Sequence, residues 1–231
     1  MTFSETLTLI GRSLPTLLQG AGITMALIST CLGLGILGGI PLAFVHVYGA
    51  CWSKFAAGIY DRVFRGFPAL VLLFLFYFGL GSIKGFSISP FIAVVLALGL
   101  RSVAYQAQIY RGGLLAVGED QMDAARSLGM TKLQAIWFVI LPQALYFSLP
   151  GIANEYSIVL KDTALAFAVG VVELFTRGKF IAVHTRATLS IYLTVAVIYL
   201  FLTYIGIFGF WVVERLAYIP GLGGRTREGE R

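Results

Sequence analysis

The chain has 231 residues, 58% of them hydrophobic and 12% charged, with a net charge of +6. A soluble domain is nearer a quarter charged. This composition therefore excludes an ordinary soluble fold, and lipid must be the solvent for much of the apolar surface. The positive balance does not indicate nucleic acid. The basic residues are scattered singly through short loops, where membrane topology and anionic headgroups account for them. Cys31 lies inside an apolar run and Cys51 just past its end, so free thiols are expected and not a disulfide framework. No basic segment precedes a short apolar core at the start, so no signal peptide is expected.

A helix needs about 20 apolar residues to cross the hydrocarbon. Between Ser13 and Ser53 there is no Lys, Arg, Asp or Glu. One long helix over about 18–48 is expected there, preceded by a short interfacial segment. The stretch 51–64 places Trp52, Phe55, Ile59, Val63 and Phe64 near helical spacing, with Lys54, Asp61 and Arg62 between them. It reads as an amphipathic surface helix. The second uncharged run is Gly66–Ser82, between Arg65 and Lys84. The third is about 90–110, interrupted by Arg101. The fourth is about 143–160, with Glu155 inside it. The fifth is 187–213, between Arg186 and Glu214. The expected fold class is an all-α membrane protein of five transmembrane helices, forming a single transmembrane domain over 1–231, with the termini on opposite sides.

The placement of Lys and Arg sets the orientation. One side carries Lys54, Arg62, Arg65, Arg111, Arg126, Lys132, Arg215, Arg225, Arg227 and Arg231. The other carries Arg12, Lys84, Lys161, Arg177, Lys179 and Arg186. The richer side is expected to be cytoplasmic, so the N-terminus lies outside and the C-terminus inside.

Gly33, Gly35 and Gly38 spell G-x-G-x-x-G. A dinucleotide site needs that motif between a strand and a helix, and here it lies in an apolar helical run. Gly35 and Gly39 also form G-x-x-x-G, which lets membrane helices pack closely. Helix packing is the expected role. His46 and His184 are far apart with no ligand spacing around them, so no metal site is expected.

The polar interlude over about 118–142 is the most informative stretch. Acidic residues Glu119 and Asp120 open a short helical segment, as the helix dipole favours. Asp123 and Arg126 can share one face. Ala124 and Ala125 are small enough to enter a cleft. Gly129 suits the left-handed conformation that ends a helix. Met130 and Leu133 offer apolar knobs, and Pro142 marks entry to the next span, where a missing N–H is tolerated. A helix-turn-helix elbow projecting from the membrane is expected.

Asp123-Ala124-Ala125, three residues, Gly129, nine residues, Val139, one residue and Leu141-Pro142 resemble the coupling loop of ABC-importer permeases. Asp123 stands where Glu is usual and Val139 where Ile is usual. The resemblance covers most of the chain. Arg65-Gly66-Phe67-Pro68, Ala104-Tyr105, Arg111-Gly112-Gly113, Asn154, Lys161-Asp162-Thr163-Ala164-Leu165 and Glu173 are similar to segments of permeases for polar amino acids, of the histidine, glutamine and arginine type. It implies the type I importer permease fold and a role as the membrane-spanning subunit. The implied partners are a second permease, identical or paralogous, a dimer of ATP-binding subunits that use ATP and Mg, an extracytoplasmic substrate-binding protein and an amino-acid substrate. It places the chain in the plasma (inner) membrane of a prokaryote and assigns ATPase coupling to Asp123, Ala124, Ala125, Gly129, Leu141 and Pro142. Phe67, Leu72 and Gln108 depart from the pattern, where Thr, Gln and Glu are common, and make the pathway less polar or less acidic. No G-x-x-x-x-G-K-[ST] sequence occurs, so this chain is not expected to bind ATP itself.

Charged groups inside a span cost about 2.5–3.5 kcal/mol even on lenient scales, so they face protein or a cavity. Arg101, Gln108, Glu155, Lys161, Asp162 and Thr163 are the substrate-pathway candidates. Arg101 and Glu155 either meet the carboxylate and ammonium of a substrate or form a structural pair. Lys161 and Asp162 read either as an interfacial ion pair or as part of a gate, with Thr163 reclosing backbone hydrogen bonds where the helix breaks. A membrane-embedded enzyme using Arg101, Glu155 and Asp162 is the alternative, although no nucleophile or metal constellation accompanies them.

Overall fold

A computed structural model describes residues 3–83 and 87–217. Lys84, Arg225, Arg227 and Arg231 of the orientation argument lie outside the described residues. The described chain is helical nearly throughout. It runs α1 (Phe3–Tyr48), α2 (Cys51–Gly66), α3 (Ala69–Phe74), α4 (Pro90–Ala116), α5 (Glu119–Ser127), α6 (Lys132–Ala135), α7 (Leu141–Asp162), α8 (Leu174–Thr185) and α9 (Thr188–Leu216). A π-turn, Leu75–Gly79, extends α3, and another, Ile136–Ile140, joins α6 to α7. A 3₁₀ turn, Thr163–Val169, continues α7.

Among the described residues, four helical stretches are long and apolar enough to span a bilayer: 4–48, 90–116, 132–169 and 188–216. A fifth exists only if α2 and the α3 segment, bent by 102°, count together. The expected second span alone is too short. From Ala69 to Gly79 the rise is about 17 Å, against roughly 30 Å of hydrocarbon. The chain turns at Phe67 and Pro68, both extended. Proline disfavours helix at the residue before it, which is why α2 stops there.

Two other boundaries differ from expectation. No separate interfacial segment precedes the first span, since α1 runs unbroken through Pro15 and Pro41. At 46 residues it is about 69 Å long, far more than one bilayer thickness. The fourth span begins at Lys132 and not near Gln143, because the π-turn ahead of Pro142 widens the helix. A wider turn makes room for a proline ring that would clash in an α-helix.

The core is built around α4. Leu27, Ile28 and Cys31 of α1 meet Ala93, Val94, Ala97 and Leu98 of α4, with Leu72 and Leu73 of α3 and Val159 and Leu160 of α7. The small residues of α1 permit this approach. A Cβ on Gly39 would sit 3.0 Å from Gln106 Cβ and 3.1 Å from the Ala107 amide nitrogen. Gly35 likewise faces Gln106, so the glycine motif is a packing surface against α4, as its context implied. On the opposite side, Gly113 of α4 abuts the backbone carbonyl of Ala144 in α7.

At the other end of the bundle, Glu173 caps α8. Its fully buried carboxylate accepts from the amides of Phe175 (2.7 Å) and Thr176 (2.8 Å), the Thr176 hydroxyl (2.8 Å) and the Tyr199 hydroxyl (3.0 Å). This one side chain caps a helix and ties it to α9.

The α4–α7 contact gives a direct expectation. In Gly113→Ala the new methyl meets backbone that cannot rotate away, at a cost of about 1–3 kcal/mol. The melting temperature of the purified protein in detergent should fall by several degrees. Gly112→Ala, with nothing within 4 Å of its Cβ position, should not lower it and should raise it slightly through helix propensity.

Candidate functional site

The elbow is coded almost wholly by local sequence. Gly118, at φ +78°, turns the chain out of α4, and Glu119 and Asp120 occupy the first turn of α5. α5 ends in a Schellman motif centred on Gly129, at φ +85°. The Met130 amide donates to Ala125 O at 3.2 Å and the Gly129 amide to Arg126 O at 2.9 Å. Only a residue without a side chain takes that conformation freely. Thr131 then opens α6 with a capping box. The Gln134 amide donates to Thr131 Oγ1 at 3.3 Å, and the Thr131 amide donates to Gln134 Oε1 at 2.8 Å.

Asp123 and Ala124 are exposed on α5, while Ala125 is buried against the elbow. Leu128 and Leu133 project with 83% and 69% exposure, an apolar tip beyond what a polar loop needs. Asp123 and Arg126 make no ion pair with each other. A cleft of about 430 Å³ lies beside α5, walled by Tyr48, Leu114, Glu119, Met122, Asp123 and Lys132.

A second constellation lies within the spans. Arg101 of α4 donates to Asp162 at the end of α7 at 2.5 Å. The guanidiniums of Arg101 and Arg65 lie 4.8 and 5.0 Å from the ring centre of Tyr105, so one aromatic ring serves two cations. Arg101 and Glu155 are expected from the sequence either to meet a substrate or to pair with each other. The structure gives Arg101 to Asp162, and Glu155 is buried at 2% exposure with Oε1 lacking a partner. Asp162 retains 26% side-chain exposure. Thr163 Oγ1 donates to Leu160 O at 2.6 Å where α-helix gives way to 3₁₀ turn, which recloses the backbone there.

The remaining candidates stand elsewhere. Lys161 turns away from Asp162 and edges a largely apolar groove of about 510 Å³ with Phe175, Tyr192 and Tyr199. Gln108 joins His46 and Asp61 near the elbow end of α4. In the sequence Asp61 reads as one charge among several on a surface helix. The available signal was its position opposite the row Trp52, Phe55, Ile59 and Val63. Those four are exposed, at 38–76%, whereas Asp61 is buried at 6%. A helix that buries its acid and exposes its apolar row offers that row to lipid or to a partner.

Residues 35–218 match the family described as binding-protein-dependent transport system inner membrane component. The chain belongs to that family. It is 37% identical over 193 residues to the probable amino-acid permease protein YxeN of Bacillus subtilis, covering 83% of this chain and 86% of that protein. It is 36% identical to the octopine transport system permease OccQ of Rhizobium meliloti, covering 82% and 84%. It is 33% identical to the glutamine transport system permease GlnP of Escherichia coli, covering 84% and 89%. The crystal structure of an amino acid ABC transporter with histidines superposes with a TM-score of 0.83 at 34% identity, over 94% of this chain and all of that one. The inward-facing MetNI methionine transporter shares the fold, at a TM-score of 0.71 and 21% identity. The chain is a transport permease with the type I importer fold and not an enzyme, so the alternative enzymatic use of Arg101, Glu155 and Asp162 falls away.

Removing one member of the Arg101–Asp162 pair strands the other in low dielectric, at about 3 kcal/mol. Arg101→Ala and Asp162→Ala should each lower the melting temperature of the detergent-purified protein. Exchanging the two charges should recover part of the loss, and Arg101→Met with Asp162→Leu should recover most of it. Single variants that melt like the wild type would show that the pair carries no stability.

Proposed function

We propose that this chain, as one transmembrane domain over 1–231, is the permease subunit of an ATP-driven importer for polar amino acids. It shares the pathway with a second permease, identical or paralogous, and takes substrate from an extracytoplasmic binding protein. A dimer of separate ATP-binding subunits, using ATP and Mg, drives it. The elbow carries this reading. Asp123, Ala124, Ala125, Gly129, Leu141 and Pro142 shape a stiff, exposed projection with an apolar tip and an adjoining cleft, which suits a docking surface for a partner.

The amino-acid reading rests on relatives named for octopine, cystine and glutamine transport. The intramembrane groups agree with it. Arg101 and Asp162 present both signs of charge at one place, with Asp162 partly exposed and Glu155 nearby, and a zwitterion carries the complementary pair. Thr163 fixes the backbone at that point. The N-terminus lies outside and the elbow and C-terminus face the cytoplasm of a prokaryotic cell, on the charge bias of the loops.

The test is reconstitution with the cognate ATPase and binding protein. ATP hydrolysis should rise when an amino acid is added with the binding protein, and uptake should follow. Gly129→Val forces a β-branched residue to positive φ. It should cut uptake by about tenfold or more while the permease still inserts. A variant with normal uptake and stimulation would remove the coupling role.

Orientation is tested separately. With Cys31 and Cys51 replaced, Lys179→Cys should react with an impermeant thiol reagent added outside. Asp120→Cys should react only when the reagent reaches the cytoplasmic face. The reverse pattern would overturn both the orientation and the docking reading.

A further inference from the structure

α2 is bound to the bundle by polar bonds. Its fully buried residues are Ala57 and Asp61 alone. Asp61 Oδ2 lies 2.7 Å from His46 Nε2 of α1 and accepts from Gln108 Nε2 of α4 at 2.5 Å. Both nitrogens give hydrogen to the same oxygen, so the 3.4 Å between them is a contact of two donors. Arg111 donates to the other end of the Gln108 amide, at 3.2 Å. The two neighbours therefore agree on the orientation of that amide: nitrogen toward Asp61, oxygen toward Arg111. Next to Asp61 on α2, the Tyr60 hydroxyl donates to Leu100 O at 2.8 Å.

Position 108 thus has to donate on one side and accept on the other. Glutamine does both. A glutamate there would still accept from Arg111, but it would set a second carboxylate against the buried Asp61 in a partly buried site. The acid of this cluster comes from α2, and the amide on α4 is its complement.

The place of the cluster in the chain gives it a function. α4 leads directly into the elbow, and α2 leads directly into the Phe67–Pro68 bend beside Arg65 and Tyr105. We propose that Asp61, gripped by His46 and Gln108, is a positioning residue for transport. It makes α2 move with α1 and α4, so that displacement arriving through the elbow reaches the bend next to the intramembrane charges. This inference rests on the importer reading above.

The experiment compares Gln108→Glu, Asp61→Asn and the double variant in the reconstituted complex with ATPase and binding protein. The readout is substrate taken up per ATP hydrolysed, which a purely stabilising bond would not change in the complexes that assemble. Gln108→Glu should lower that ratio by about fivefold or more, in the range of single-residue coupling effects. The double variant restores a donor, an acceptor and one acid, and should return the ratio to within about twofold of the wild type. A normal ratio in Gln108→Glu, or a double variant no better than Gln108→Glu, overturns the proposal. Should Gln108→Glu fail to assemble, His46→Gln and Asp61→Asn replace it, and an unchanged ratio in both overturns the proposal equally. A wild-type complex without substrate-stimulated hydrolysis strikes the importer reading itself. A coupled wild type with insensitive cluster variants strikes the clasp alone.

Discussion

In hydrocarbon, a polar side chain has no water to fall back on. Its partner must come from the protein, and an unpaired group costs several kcal/mol. This constraint decides which helices of the chain are fastened together. Arg101–Asp162 joins α4 to α7, and Asp61 joins α2 to α1 and α4. The Tyr156 hydroxyl, donating to Leu202 O at 2.8 Å, joins α7 to α9. Thr24 Oγ1, accepting from the Leu174 amide at 3.3 Å, joins α1 to α8. Apolar contact cannot choose among helix pairs in this way, because lipid tails are as apolar as leucine. α9 shows the contrast. Of its 29 residues only Ile191 and Val195 are fully buried, and most of the remainder is surface for lipid or a partner.

Two kinds of stiffness meet at the elbow. Gly129 and the Thr131–Gln134 box hold its angle by bonds within ten residues. Such motifs survive changes in the rest of the fold, since they depend on no distant partner. The helix leaving the elbow is unusual at Ile136–Ile140, where the π-turn relieves the clash that Pro142 would bring. The proline is compatible with a continuous helix because the backbone widens ahead of it.

The difference between local and distant bonds also explains how far the sequence could be read. Hydropathy placed the first, third, fourth and fifth spans, and Gly129 foretold its own left-handed turn. The glycine pair 35 and 39 pointed to a close neighbour without naming α4. The mate of Arg101 was not legible. Glu155 and Asp162 are both acids on the same span, seven residues apart and thus on nearly one face. Only the relative rotation of α4 and α7 chooses between them. The depth of Asp61 was hidden for the opposite reason. An amphipathic pattern gives two faces but not which of them meets protein, and a membrane inverts the usual answer.

α4 is the element on which the remaining geometry turns. It has no proline past its first residue, and it starts from a Ser89 cap that accepts from the Ile92 amide at 3.3 Å. Its 27 residues make a rod of about 40 Å. Along that rod lie Arg101, Tyr105, Gln108, Arg111 and Gly113, and its end is the start of the elbow. Gly113 presses it to α7 and the glycine stripe of α1 presses it from the other side. A packed rod of this kind transmits displacement and does not absorb it. Change of shape must then be taken up where the backbone already departs from α-helix. Two such places adjoin the intramembrane charges: the extended pair Phe67–Pro68 beside Arg65, and the passage from α-helix to 3₁₀ turn at Thr163 beside Asp162. The Arg101–Asp162 pair thus adjoins the places where the scaffold is least regular, and α4 between it and the elbow is where the scaffold is most regular.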